Sequence, residues 1–391
     1  MKKKIVIIDH EPYSTNKRQR YYISEFLDND FCVEYWSVCN VLPYLRNVKY
    51  LNSDDAKIVR SFNTYTEFLD ELSKLDRSSI LILEVWARWS TLKLFVILKI
   101  NKIKFIKIDY FYKLISVLYT EKSILSKLLT FDGPGKWIKL IFTYTSNIIF
   151  RILVKWLSLN KPEILFLTGK SSGINGNGSV IKSLTYFDVL KFEEIKNDSP
   201  MINYKYIVFL DIFLVGHPDL QRSNLETIDA TLYYEKMNLF FDKIELSTGF
   251  KVVIAAHPQS NYQNCEYGQR DCYLNKTAEL VNNCEFVLTH GSLSINFAVL
   301  SKKSIVYIYT NEFITANNYL KHMYKSIENA TYIFKSLKIN VDVFESINIE
   351  DVKFDENAYQ AYLQDNLYST EFPKPNYEIL RDNIMSLSIK S

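Results

Sequence analysis

At 391 residues the chain is long enough for two domains rather than one. Its composition, 48% hydrophobic and 23% charged, is that of an ordinary globular protein, and a net charge of +3 argues against a dedicated nucleic-acid binder. The five cysteines (Cys32, Cys39, Cys265, Cys272, Cys284) are odd in number and form no CxxC pair, which excludes a disulfide framework or zinc knuckle and points to a reducing cytoplasm.

The chain opens with three lysines before a four-residue apolar run, Ile5 to Ile8, which is too short for a signal peptide and reads as a first strand. The loop Asp9-His10-Glu11-Pro12 follows at its carboxyl end. Lys17 to Leu27 reads as a helix and Phe31 to Ser37 as a strand. A helix over Phe62 to Leu75 is followed by a strand at Ile80 to Val85, a helix at Leu92 to Ile100 and a strand at Lys104 to Tyr110. This alternation of strand and helix predicts a Rossmann-like parallel sheet.

Between Thr91 and Lys161 there are thirteen Lys/Arg and three acids, an excess of ten. Within that segment Trp137 to Leu157 is rich in apolar residues, but Lys139, Arg151 and Lys155 argue against a spanning helix. Two readings stand: a packed helix with a solvated basic face, or a helix lying on an anionic membrane surface. Further on, Glu163 to Thr168 reads as a strand leading into a Gly-Lys-Ser turn. The upstream glycine of a P-loop is absent, since position 164 is Ile. Tyr186 to Phe192 is expected to be the last strand of the first domain, and Ile195 to Tyr204 the linker. The expected domains are therefore 1–195 and 205–391, with helices at the carboxyl end crossing back to the first.

The second domain opens with a strand at Tyr206 to Leu210, then Asp211 and a His217-Pro218 pair. A helix over Tyr233 to Thr248 ends at Gly249, a C′ glycine. The apolar run Val252 to Ala256 stops at His257-Pro258, and a helix at Thr277 to Asn283 leads to a second run, Phe286 to Leu288. That run stops at Thr289-His290-Gly291-Ser292-Leu293-Ser294, before a helix over Ile295 to Leu300 and a strand over Ser304 to Tyr309. Ligands sit off the carboxyl ends of parallel strands, and His257 and the 290–294 turn both fall there, on strands expected to be neighbours. A Gly-Ser-x-Ser turn offers backbone N–H groups, hydroxyls and a helix start to a phosphate, and a histidine can donate to the same anion. The alternative is that both histidines only terminate strands and that the serines only cap the helix.

The stretch Leu280 to Ser292 resembles the donor-binding domain of GT-B glycosyltransferases and of non-hydrolysing UDP-N-acetylglucosamine 2-epimerases. The resemblance implies an α/β fold of two Rossmann-like domains facing a cleft. His257-Pro258 resembles the HP motif of bacterial sialyl-, polysialyl- and Kdo-transferases, so that His257, Ser292 and Ser294 would hold a CMP phosphate. UDP-sugar enzymes of the inverting type carry a glutamate a few residues into the following helix, where this chain has Asn296 and Phe297. Asp132 in Phe131-Asp132-Gly133 matches part of the acidic D/E-D/E-G motif of the same sialyltransferases, which supplies a general base. By position in such a fold, His10 and Glu11 are further candidates for acceptor binding or base catalysis, and Asp211 and His217 for the donor pocket.

The function so implied is transfer of a sugar from a nucleotide-sugar to a glycan or lipid-linked glycan acceptor in bacterial surface polysaccharide assembly. The expected donor is a CMP-activated sialic-acid-like or Kdo-like sugar. The expected catalytic residues are Asp132, Glu11 and His10. The expected donor-binding residues are His257, Pro258, His290, Gly291, Ser292, Ser294, Asp211 and His217. No metal or bound cofactor is expected, no nucleic acid, and a cytoplasmic location with peripheral contact at the inner membrane face. A UDP-sugar transferase or 2-epimerase, and a catalytically silent binding protein of this fold, are the alternatives.

Overall fold

The computed structural model describes residues 3–29, 31–42, 57–111, 134–170, 178–216, 228–262 and 266–389. The chain divides into two units: Met1–Tyr110 with Lys122–Leu184 and Thr370–Ser391, and Phe111–Glu121 with Thr185–Ser369. Each is built on one parallel sheet.

The first unit carries seven strands: β1 (Lys3–Asp9), β2 (Phe31–Ser37), β3 (Val59–Ser61), β4 (Ile80–Glu84), β5 (Phe105–Asp109), β6 (Ile164–Thr168) and β7 (Val180–Leu184). Their order across the sheet is β3-β2-β1-β4-β5-β6-β7. Ile5 to Ile8 are fully buried because β1 is paired on both edges and covered on both faces, which is why its sequence is an unbroken apolar run. The register sets Asp9 opposite both Ser37 and Glu84, so the carboxyl ends of β1 and β4 present two acids side by side. The expected helix at 17–27 is two helices, Thr15–Arg20 and Ile23–Asp28, broken where Tyr22 takes a left-handed φ of 53°. The carboxyl-terminal helix Asn376–Ile389 belongs to this unit, with the Tyr377 ring 5.1 Å from that of Phe26.

The second unit carries β8 (Tyr206–Leu210), β9 (Lys251–Ala256), β10 (Cys272–Leu274), β11 (Phe286–Thr289), β12 (Ser304–Tyr309) and β13 (Leu337–Asn340). Their order is β10-β9-β8-β11-β12-β13. Numbered from β8, this is the 3-2-1-4-5-6 order of a dinucleotide-binding fold, and the order reverses between β8 and β11. The helix Ala230–Thr248 makes the first crossover; Asp229 caps its start and Gly249, at φ 73°, ends it.

Two sequence expectations fail here. Tyr186 to Phe192 is not a strand; Phe187–Ile195 is a helix whose buried side chains, Asp188, Val189 and Ile195, follow a helical period, and it lies in the second unit. The strands before His257 and His290 are also not neighbours, because β8 lies between β9 and β11. Chain order cannot show this: after β10 the chain returns to the other side of its first strand.

Candidate functional site

In the first unit the site forms where β1 and β4 end. The Asp9 side chain is fully buried and accepts from the Tyr21 hydroxyl at 2.7 Å and the Glu11 amide at 2.9 Å. Lys17, also buried, puts its ammonium 2.8 Å from Asp9 Oδ2 and 2.6 Å from Glu11 Oε2. His10 follows directly. Its Nδ1 hydrogen-bonds the Glu84 carbonyl oxygen and lies 3.6 Å from Asp9 Oδ1. Both neighbours are acceptors, so Nδ1 carries the proton and Nε2 holds the lone pair. The ring lies 4.9 Å from that of Trp86, an exposed residue on the loop after β4, and the Arg88 guanidinium sits 4.8 Å from the Trp86 ring.

Such an arrangement could serve a general base: an imidazole oriented by a carbonyl, with a carboxylate beside the proton-bearing nitrogen that would stabilise an imidazolium. The Glu11 carboxylate is engaged by the Lys17 ammonium. Asp132 lies outside the described residues. Asp9, Lys17 and Glu84 carry this arrangement and were not singled out from the sequence. The signal available was acids at the ends of two apolar runs, but only the register places those ends together. Burial pushes the Glu84 carboxyl up to about 7, against the opposing pull of Arg20.

In the second unit Asp211, at the end of β8, is the organising group. Its carboxylate accepts from the Phe213 amide at 2.8 Å, the His257 amide at 3.3 Å, the Tyr267 hydroxyl at 3.2 Å and the Tyr262 hydroxyl. Burial nevertheless raises its pKa. Phe213 is held at a left-handed φ of 52°, a strained setting for a residue with a side chain. Its ring lies nearly parallel to the His257 ring at 6.3 Å. A Cβ on Gly216 would meet the Phe213 ring at 2.2 Å, which explains the glycine.

His257 is half-buried, and its Nδ1 accepts the Gln259 amide at 3.1 Å. The ring proton therefore sits on Nε2, which makes that edge a hydrogen-bond donor. Burial lowers the His257 pKa while Asp211 acts to raise it, so a nearby anion would be needed to favour the imidazolium. Pro258 is exposed and ends the strand.

His290 is placed differently from expectation. It is buried, its Nδ1 donates to the Ile308 carbonyl at 2.7 Å and its Nε2 accepts the Tyr233 hydroxyl at 2.9 Å. With both nitrogens engaged and its pKa driven down to about 4 by burial, it is a neutral core group rather than a ligand for an anion. The turn after it is also closed internally. The amides of Gly291 and Ser292 both donate to Thr289 Oγ1 at 3.0 Å, and that of Ser294 donates to Ser292 Oγ at 3.2 Å. Those amides are not open to a phosphate. What the turn presents is the half-buried hydroxyls of Ser292 and Ser294, held in place by Gly291 at φ 103°, which a side chain resists. His217 lies outside the described residues. Asn311 and Glu312, at the next strand end, are engaged with Asp342 and Lys236.

Asn296 is fully buried. Its Nδ2 donates to Asp188 Oδ2 at 2.9 Å and its Oδ1 accepts the Tyr362 hydroxyl at 2.8 Å. It faces the core rather than a ligand. Burial pushes the Asp188 carboxyl up to about 7. Because the folded-state pKa exceeds the unfolded one, the cost of ionising Asp188 is absent below pH 4. It grows by about 1.4 kcal/mol per pH unit up to pH 7 and is constant above that. Asp188→Asn keeps the acceptor for Asn296 without the charge. In urea denaturation it is expected to gain on the wild type from pH 5 to pH 8; an equal difference at both would show that the carboxyl is already ionised in the fold.

Solved structures share this architecture at low identity. The chain matches the crystal structure of Arabidopsis thaliana UGT89C1 with a TM-score of 0.50 and 10% identity, over 99% of this chain and 100% of that one. The fold is GT-B. The glycosyltransferase SnogD from Streptomyces nogalater matches at a TM-score of 0.48 and 9% identity, over 99% and 100% of the two chains. The UDP-GlcNAc 2-epimerase from Methanocaldococcus jannaschii matches at 0.44 and 12%, over 98% and 99%. No protein-family model matches, and no curated protein does. At 10% identity the likeness to UGT89C1 establishes the fold and not the chemistry.

Proposed function

We propose that this protein is a glycosyltransferase that moves a sugar from a nucleotide donor to a hydroxyl acceptor, with His10 as the general base. The observation that carries the reading is the orientation of His10, whose Nδ1 proton is committed to the Glu84 carbonyl and whose Nε2 lone pair is therefore available to an acceptor hydroxyl. In the second unit, this reading assigns His257 and the hydroxyls of Ser292 and Ser294 to the donor phosphate. Stabilising the departing phosphate there is the electrostatic half of the chemistry. The donor in this reading is CMP-linked, of the sialic-acid or Kdo type, and the acceptor is a surface glycan. Two features support CMP over UDP: the His257-Pro258 likeness, and a helix start whose Asn296 is turned inward and offers no carboxylate to a ribose. A 2-epimerase would need further acid–base groups. The additional carboxylates near His10, Asp9 and Glu84, are buried and already engaged.

Ligand binding raises the melting temperature by mass action, so thermal shifts with CMP, UDP and GDP distinguish the donors. The expected result is a shift with CMP that needs no added divalent cation and is lost in His257→Ala. A shift with UDP alone would reassign the donor, and none with any nucleotide would leave a binding protein without transferase chemistry.

A further inference from the structure

The helix Pro134–Trp156 of the first unit shows two apolar faces over residues 148–156. Phe150 and Val154 enter the core, with the Phe150 ring 5.0 Å from that of Trp89, whose Nε1 donates to the Ser146 carbonyl at 3.1 Å. About half a turn round the helix, Ile148, Ile149, Ile152 and Trp156 recur at positions i, i+1, i+4 and i+8 and form a second stripe. This stripe is open to solvent: Ile152 is 62% exposed and Trp156 80%. Arg151 and Lys155, both exposed, flank it. A surface helix with one core-facing side should carry polar residues opposite. Here the opposite side is apolar, contiguous and edged with positive charge.

We infer that this stripe docks on an anionic phospholipid surface, with Ile152 and Trp156 entering the headgroup–acyl boundary and Arg151 and Lys155 meeting lipid phosphates. Branched aliphatics and tryptophan on one side with basic residues at the margin are the pattern of a helix that lies in the interface plane. Among the described residues no helix is long and apolar enough to cross a membrane, so the contact is peripheral. A second copy of the chain fits this face less well. Pairing two stripes would bring Arg151 and Lys155 of both copies together, in a segment that carries ten excess positive charges. The proposal goes beyond the transferase reading and does not depend on it, since neither His10 nor His257 is involved.

The test is co-sedimentation of the full chain, without nucleotide, with phosphatidylcholine vesicles and with vesicles in which about a third of the lipid is phosphatidylglycerol. The wild type is expected to partition onto the anionic vesicles and not the neutral ones, with binding falling as salt is added. Ile152→Ser with Trp156→Ser should reduce binding at least about tenfold. Arg151→Gln with Lys155→Gln should reduce it on the order of tenfold. All four side chains are exposed, so the melting temperature should not change. Failure of the wild type to bind anionic vesicles, or undiminished binding by the serine variant, would overturn the proposal. So would a concentration-dependent dimer that the same serine substitutions abolish, which would make the stripe a self-interface.

Discussion

His10→Gln is expected to lower the rate of sugar transfer by a factor of about 10²–10⁴, the usual contribution of a positioned general base. Glutamine approximates the size of the imidazole and can still donate to the Glu84 carbonyl, but its amide cannot take a proton from an acceptor hydroxyl. The loss should fall on kcat, with nucleotide binding unchanged, since the groups assigned to the donor phosphate lie on the second unit. Glu11→Gln is expected to lose much less, because the Glu11 carboxylate is already matched by Lys17 at 2.6 Å. Steady-state rates of the two variants, once a donor is identified by thermal shift, check the assignment. Full activity in His10→Gln would show that another group takes the acceptor proton and would overturn the assignment of His10 as the base.

Lys17→Met should destabilise the first unit by about 3–5 kcal/mol, the cost of leaving a buried charge without its partner. Asp9 has no exposed surface, and Lys17 holds it at 2.8 Å from the first helix of the chain. Tyr21 also bonds Asp9, but a neutral hydroxyl does not replace the ammonium. Methionine keeps most of the lysine stem and its packing, so the loss isolates the charge. Adding Asp9→Asn should recover much of the stability, because the pair is then removed together rather than broken. Urea denaturation followed by tryptophan fluorescence reads this through Trp36, which is buried in the same unit. If Lys17→Met alone unfolds at the wild-type midpoint, the ion pair is not what holds the loop that presents His10.

The two predictions concern residues of very different legibility. His10 was visible in the sequence because it follows an unbroken apolar run, and buried parallel strands end in loops that carry function. Lys17 was not visible. One lysine in a stretch that also holds Arg18 and Arg20 reads as part of a solvated helix face, and nothing local separates the one that pairs with Asp9. Glu84 was equally obscure as a single acid at a strand end; its meaning comes from the β1–β4 register that sets it opposite Asp9. The turn at 289–294 was legible only in part. Its composition invites a phosphate, yet Thr289 Oγ1 accepts the amides of Gly291 and Ser292, so the proposed role falls to the hydroxyls of Ser292 and Ser294.

What the sequence determined by itself was local: which runs are apolar, their period, where glycine and proline stop them, and hence two parallel α/β units with polar loops at the strand ends. Those properties depend on neighbours within a few residues, so they survive without coordinates. The tertiary structure alone decided which strand ends stand side by side and which polar groups already have partners. It placed β8 between β9 and β11, turned Asn296 toward Asp188 and Tyr362, and sealed His290 between Tyr233 and Ile308. Each of these depends on groups tens of residues apart. A side chain's chemistry is set by its hydrogen-bond partners and burial, and those are fixed only when the chain has closed around it.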